Sequence, residues 1–370
     1  MKLKDVCVDI WDCPHTTAND EGEGYPLIRT PNIGKGRFIL SGVHRVCEDV
    51  YNIRNKRAVP QDNDLIFARE APAGNVAIIK NGQKFCLGQR TVLIRPDKDK
   101  VNPDFLNYFL LAPEQQHSLL KTANGSTSSH VNMKTIRELQ INLPSRNYQD
   151  KVSSILCDYD EVIELNQRKI AVLEEIAMRI YREWLVHLRF PEYESCKFEN
   201  GLPKGWKYLS VTDVLDIRYG KDHYEIEDGD FPIYGSGGIM RKGNKFIYNG
   251  KSVLIPRKGT LNNIMLVDGC FWCIDTMFYS IPRISNTANL VYFQLDGYDM
   301  DSLNSGTALP SMTTKILSGI KIIVPSEEIR RRFDDIVDPI LTQISILKLS
   351  NYQLQQMRDR LLPQLMSGQL

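Results

Sequence analysis

The second half of this chain repeats the first, and that duplication limits the folds open to it. The segment NGSTSSHVNMKTIRELQINLP ends at Pro144, and NSGTALPSMTTKILSGIKIIVP ends at Pro325. Both pass from a Gly/Ser/Thr loop through an alternating apolar strand to a proline. Upstream, NYFLL (Asn107 to Leu111) matches VYFQL (Val291 to Leu295), and DLIFAR, ending at Arg69, matches SVLIPR, ending at Arg257. The openings agree as well: LKDVCVDI from Leu3 and VTDVLDI from Val211. A period this long excludes a solenoid and indicates a duplicated domain. The expected class is α+β: two tandem mixed α/β domains separated by two long antiparallel helices, with a pseudo-twofold internal repeat. The expected boundaries are 1–144 for the first domain, 145–190 for a central helix, 191–325 for the second domain and 326–370 for a distal helix. A chain of 370 residues exceeds what one core usually organises.

After Pro144, residues Val152, Leu156, Tyr159, Ile163, Asn166, Ile170, Leu173, Ala177, Ile180 and Trp184 recur at alternating spacings of four and three. That is a heptad seam, the pattern of a helix packed along another helix. Overlaying Pro325 on Pro144 aligns a second helix without a gap, with Phe333, Val337, Ile340, Ile344, Leu347, Asn351, Leu354 and Leu361 in the seam and Arg358 as a polar exception. Pro339 predicts a kink, or a helix start displaced to that point, and Pro363 predicts the end of the regular stretch. An antiparallel register that sets Ile170 opposite Leu347 also sets Leu173 opposite Ile344, Ile163 opposite Leu354, and Ile180 opposite Val337. The two seam asparagines, Asn166 and Asn351, then face each other. A buried amide is costly unless its partner is polar, so such a pair would fix the register.

A net charge of +1 gives no overall attraction to a polyanion, but the distribution is uneven. From Gly235 to Thr260 there is no acid, while Arg241, Lys242, Lys245, Lys251, Arg257 and Lys258 all fall there. From Ala71 to Pro96 there is again none, with Lys80, Lys84, Arg90 and Arg95 present. Such stretches make local positive potential, or they are ordinary solvated loops. The N-terminus has no apolar run for an export signal, and no run approaches a membrane span. The eight scattered cysteines show no disulfide framework, so a cytoplasmic location is expected. GKS at Gly250 lacks the earlier glycine of a phosphate cradle, because Lys245 occupies that position. Neither an Asn/Asp-Pro-Pro-aromatic methyltransferase motif nor a nuclease carboxylate–lysine set is present. Cys270 and Cys273 form a CxxC without a second pair and read as buried small residues in an apolar strand. His44 with Cys47, and Cys13-Pro14-His15, offer too few ligands for a metal. No metal and no catalytic residue are expected on this chain.

The order of these parts resembles type I restriction–modification specificity subunits across essentially all 370 residues. WDCPHTT (Trp11 to Thr17), LIFAREAPAGNVAII (Leu65 to Ile79) and CLGQRTVLIRP (Cys86 to Pro96) are similar to one common class of target-recognition domain. LPKGWKYLSVTDVLDIRYGK (Leu202 to Lys221) and FPIYGSGG (Phe231 to Gly238) look like the entry to a second, and RDRLLPQLMSGQL like the end of the distal helix. The resemblance implies a non-catalytic subunit whose two domains read the halves of a split double-stranded DNA site. It also implies helices that space those domains and hold modification (methyltransferase) subunits, with a restriction subunit joining them. S-adenosylmethionine, ATP and Mg are then expected on the partner subunits and no cofactor on this chain. Two other classes stay open: a fused methyltransferase or nuclease with diverged motifs, and a structural coiled-coil adaptor. Exposed apolar helix surface also leaves homodimerisation of the isolated chain open.

A DNA-reading domain needs cations for phosphates and Arg, Lys, Asn or Gln for base edges. The candidates in the first domain are Arg29, Lys35, Arg37, Arg69, Gln89 and Arg90. In the second they are Lys221, His223, Tyr234, Ser236, Arg241, Lys242, Lys245, Arg257 and Lys258. Arg69 and Arg257 hold equivalent places at the ends of repeated strands, and each is either a DNA contact or a buttress of its own loop. A helix of roughly 35 to 40 residues spans about 50 to 60 Å, against about 34 to 36 Å between successive major grooves on one DNA face. Inserting one helical turn in the central helix is therefore expected to change the preferred gap and leave both half-site sequences unchanged. Methylation mapping or selection of bound duplexes reads this out, and an unaltered gap rejects it.

Overall fold

The computed structural model describes residues 1–121, 130–303 and 311–368. It forms two compact units: Met1–Gln167 with Lys348–Leu370, and Arg168–Leu347. The Gly/Ser/Thr loops expected in the two repeats fall largely on 122–129 and 304–310, outside the described residues.

In the first unit, Leu65–Ala68 lies between Thr91–Pro96 and Val76–Ile78, antiparallel to both. Cys7–Asp12 flanks Thr91–Pro96, and Lys35–Gly36 closes the other edge. Side chains alternate across a strand. Leu65 and Phe67 enter a core shared with Phe105, Leu106 and Tyr108, whereas Ile66 and Ala68 enter another with Ile28, Ile33 and Phe85. Both faces are covered, which is why LIFA reads as an unbroken apolar run. The helix Pro103–Leu111 starts at a cap: the Asn102 side chain accepts the N–H groups of Asp104 (2.9 Å) and Phe105 (3.1 Å). Pro103 sits in the first turn, where its missing N–H costs nothing. A smaller sheet pairs Tyr25–Ile28 antiparallel with Arg45–Val46 and parallel with Cys86–Leu87.

The second unit repeats this plan. Leu215–Tyr219, Met277–Pro282, Ser252–Pro256 and Met265–Val267 follow the same strand order, all antiparallel. Its other sheet also has an inner strand, Phe231–Gly235, antiparallel to the next (Gly238–Gly243) and parallel to a later one (Cys270–Cys273). The duplication therefore extends into segments whose residues do not match. It holds down to single hydrogen bonds: Val131 N–H donates to the Arg69 carbonyl at 3.0 Å, and Met312 N–H to the Arg257 carbonyl at 2.9 Å. The strand expected before each proline forms only in the second unit, where Lys321–Val324 pairs with Lys207–Ser210. In the first, a short helix Met133–Arg137 leads to a single bridge between Lys2 and Gln140. The helical turn Leu3–Val6 removes further pairing partners there. Cys273 is buried as expected, but Cys270 at the strand's edge is only half-buried.

The central helix runs Arg146–Tyr181 and passes into a π-helical turn, Arg182–Val186, whose extra residue per turn brings the adjacent Trp184 and Leu185 both into the core. The distal helix runs Glu327–Met366. The seam residues named above are buried or half-buried on both helices. In the first unit, Asn166 Nδ2 donates to Asn351 Oδ1 at 2.9 Å, and the two residues are 7% and 8% exposed. In the second, Ile170, Ile344 and Leu347 cluster with half-buried Leu173 and Ile340. Pro339 does not displace the start of the distal helix or end it. The carbonyl it leaves unpaired belongs to exposed Asp335, which water can serve, and buried Phe333 and Val337 hold the neighbouring turns. Pro363 does not end the helix either, because buried Leu365 anchors one more turn. No helix among the described residues is long and apolar enough to cross a membrane.

Both long helices contribute to the core of each unit. The first core takes Val152 and Leu156 from the start of the central helix and Leu365 from the end of the distal one. The core of the second unit takes Ala177 and Trp184 from the end of the central helix and Phe333 and Val337 from the start of the distal one. Replacing Asn351 alone by leucine orphans the buried Asn166 amide and is expected to destabilise the first unit by about 1–3 kcal/mol. The double variant Asn166→Leu/Asn351→Leu should recover most of that loss in urea unfolding. Equal stability of the single and double variants would contradict the pairing.

Candidate nucleic-acid interface

The end of the sheet where the repeated arginines sit is built differently in the two units. In the first, Arg69 follows the strand Leu65–Ala68 and its side chain is only 9% exposed. Its Nη1 contacts both Asp12 oxygens (2.8 and 3.0 Å), its Nε donates to the Val131 carbonyl at 3.0 Å, and its Nη2 lies 2.6 Å from His130 Nε2. An arginine only donates, so His130 Nε2 accepts and Nδ1 carries the proton toward Glu70 Oε1, 2.5 Å away. Glu70 also holds Arg90 Nη1 at 2.9 Å. The Arg69 guanidinium thus closes a network with Asp12, His130 and Glu70 and buttresses its own loop.

In the second unit the residue matching Asp12 is Tyr219: each lies opposite the strand residue that also pairs with Phe67 or with Ile255. Arg257 accordingly has no carboxylate at that position. Its guanidinium stands 5.2 Å from the Tyr219 ring centroid and donates from Nη1 to the Asp275 carbonyl at 2.8 Å. It stays half-exposed. Lys221 and Lys258, close by in sequence, are exposed and enter no ion pair among the described residues.

The other expected contacts divide in the same way. Arg37 is spent inside the first unit, with Nε on Glu164 Oε1 at 2.8 Å and Nη1 3.9 Å from Asp160. Arg241 is likewise committed, donating to the His223 and Ile226 carbonyls at 2.8 and 2.7 Å and so tying the 223–228 loop to the strand Gly238–Gly243. Tyr234 packs edge-on against Phe271, and burial pushes its phenol up. His223 stacks on Tyr224, and its buried Nδ1 has no hydrogen-bond partner among the described residues. Ser236 caps the hairpin between Phe231–Gly235 and Gly238–Gly243, and its carbonyl accepts Asn263 Nδ2 at 2.8 Å. Gln89 is half-exposed, bonded to Thr17 and the His15 carbonyl. Arg29 is half-buried, and Lys35, Lys242 and Lys245 are exposed without ion pairs among the described residues.

The cations left available are therefore Lys35, Lys221, Lys242, Lys245, Arg257 and Lys258, most of them on the second unit. Interleaved with them are exposed apolar residues that a search for polar groups misses: Tyr219, Tyr224 (85% exposed), Ile239 and Met240. Shared strand register would have identified Tyr219 as the counterpart of Asp12, but Tyr224, Ile239 and Met240 have no sequence signal of their own. Burial pushes the Cys7 and Cys273 thiols up to about 12, which leaves them as inert packing groups. No group of three or more His, Cys, Asp or Glu residues placed to hold a metal occurs among the described residues.

Two α+β domains of one design, each packed on the ends of two long helices, define a duplicated binding architecture. The same fold is found in the crystal structure of a type I restriction–modification system S subunit from M. genitalium, with a TM-score of 0.63 and 17% identity over 99% of this chain and 95% of that one. The model of the type I restriction modification DNA specificity domain matches residues 1–175 and 203–356, and the chain belongs to that family. It is 24% identical to the type I restriction enzyme MjaIX specificity subunit of Methanocaldococcus jannaschii, over 90% of this chain and 83% of the relative. It is 20% identical to the HindI specificity subunit of Haemophilus influenzae, over 94% and 95%.

Arg69 and the exposed lysines of the second unit should then give unequal phenotypes. Arg69→Ala takes the buried guanidinium from Asp12, which keeps only the exposed His15 at 3.3 Å, and is expected to cost about 3–5 kcal/mol in unfolding free energy. Lys242→Ala and Lys258→Ala should change it by less than about 0.5 kcal/mol. Chemical denaturation of the full chain measures both, and a stable Arg69→Ala protein would overturn the buttress assignment.

Proposed function

We propose that this chain is the DNA-specificity subunit of a type I restriction–modification complex and that each α+β unit reads one half of a bipartite duplex site. The observation that carries this reading is the duplication itself. Two copies of one sheet design, matched to the hydrogen bond at Arg69 and Arg257, sit in one chain and share two long helices. A duplicated reader suits a target with two parts. The available cations of the second unit supply phosphate contacts, and Arg257, held by Tyr219 and the Asp275 carbonyl, has donors left for a base edge or a phosphate.

On this reading the chain is non-catalytic. Modification subunits dock on it and bring S-adenosylmethionine, and a restriction subunit brings ATP and Mg. The MjaIX and HindI relatives, each a specificity subunit of a type I restriction enzyme, support the assignment. The chain works where DNA is, and the expected compartment is the cytoplasm.

The test is co-expression with a modification subunit followed by mapping of methylated adenines, together with binding of the selected duplex by the full chain at graded salt. The expected result is one split motif and an affinity that falls steeply with salt, by about one power of the salt concentration for each phosphate neutralised. Arg257→Ala should weaken binding to one half-site and leave the unfolding midpoint unchanged. Methylation at a single undivided motif, or binding indifferent to sequence, would refute the proposal.

A further inference from the structure

Arg358 interrupts the apolar seam of the distal helix, and its partner explains why. Asp160 of the central helix is 2% exposed, and Arg358 Nη1 reaches its Oδ1 at 2.5 Å. The other carboxylate oxygen accepts the hydroxyl of Tyr108 at 2.6 Å, and Tyr108 belongs to the α+β domain through the helix Pro103–Leu111. Arg37, from the same domain, lies 3.9 Å from that oxygen and is bonded to Glu164 one turn further along the central helix. Gly36 passes close to the carboxylate: its φ is +92°, and an added Cβ would sit 3.4 Å from Asp160 Oδ2, just in contact. One buried carboxylate thus joins the α+β domain and both long helices. Burial, then the Asp160 charge, pushes the Tyr108 phenol up, which keeps its hydroxyl a donor.

The second unit docks by other means. Asn289 donates to Asp334 (2.7 Å) and Asp338 (2.6 Å), Asn286 to Asp334 (3.0 Å), and Lys251 to Asp338 (2.5 Å). Both of those acids lie on the distal helix.

Stability is a poor reason to bury such a cluster. Desolvating the charges costs several kcal/mol, and apolar replacements of buried ion pairs are often no less stable. What directional bonds from three segments supply is a fixed angle. We infer that Asp160, with Arg358, Tyr108 and Arg37, is a positioning device that holds the first recognition domain on both helices and so sets how strictly the gap between half-sites is read. This rests on the bipartite reading. Adding one base pair to the gap moves the far half-site by about 3.4 Å and turns it by about 35°. A fixed domain rejects that displacement, whereas a domain free to pivot absorbs it.

The test uses the full chain and duplexes carrying the selected half-sites at gaps varied one base pair at a time. Wild type is expected to prefer its best gap by about tenfold or more over the neighbouring ones. Asp160→Leu/Arg358→Leu, and separately Tyr108→Phe, should keep the half-site sequences and flatten that preference to about threefold or less. Arg358→Lys should retain more of the preference than Arg358→Leu. Urea unfolding accompanies each variant, and if the double leucine variant does not fold, Tyr108→Phe decides. Folded variants that discriminate gaps as sharply as wild type overturn the inference, as does a bipartite-selective wild type indifferent to the gap. A wild type with no bipartite selectivity refutes the underlying reading instead.

Discussion

An amphipathic helix of 36 or 40 residues persists in water only if something covers its apolar seam, because packing rather than propensity supplies most helical stability. Here the two long helices cover each other over part of that seam, and the α+β domains cover the rest. Val152 and Leu156 lie with Phe105 and Tyr108 in one core, and Phe333 and Val337 with Leu290 and Phe293 in another. Fully burying a side chain such as Phe333 contributes roughly 1.5–3 kcal/mol. The domains are therefore not beads on a rod: each core is finished by helix ends that arrive from two distant parts of the sequence.

That dependence gives the polar exceptions in the seam their meaning. Apolar contacts are indifferent to small slides, since neighbouring heptads present similar surfaces. The Asn166–Asn351 pair and the Asp160–Arg358 pair are not, because a slide leaves a buried amide or charge without its partner. Both lie in the first unit, so that unit carries the polar markers of register, whereas Ile170, Ile344 and Leu347 supply only apolar contact in the second.

The same backbone serves two chemistries. The sheet ends at Arg69 and Arg257 share their strand order and a hydrogen bond from the following segment, yet Asp12 turns one arginine inward and Tyr219 leaves the other half-exposed. A single exchange at a matched position decides whether the cation is structural or available. Side chains at the loop ends of such a framework can differ in this way while the strands and their pairing stay the same.

Much of this architecture was legible in the residues alone. Repeated segments such as DLIFAR and SVLIPR fixed the duplication, because matching strands require matching apolar runs. The alternation of fours and threes fixed the helices, and the lone asparagines fixed their register, because period and burial are local properties that each residue type declares. The helix start expected as one alternative at Pro339 and the end expected at Pro363 misled for the complementary reason: a proline weakens a helix locally, and distant packing by Phe333, Val337 and Leu365 overrides it. Only the tertiary structure could decide that Arg37, Arg69 and Arg241 are spent within their own units while Arg257 is not. A guanidinium's role depends on which acceptors the fold brings within about 3 Å, and those acceptors, Glu164, Asp12, and the His223 and Ile226 carbonyls, come from elements that the sequence does not show to be neighbours.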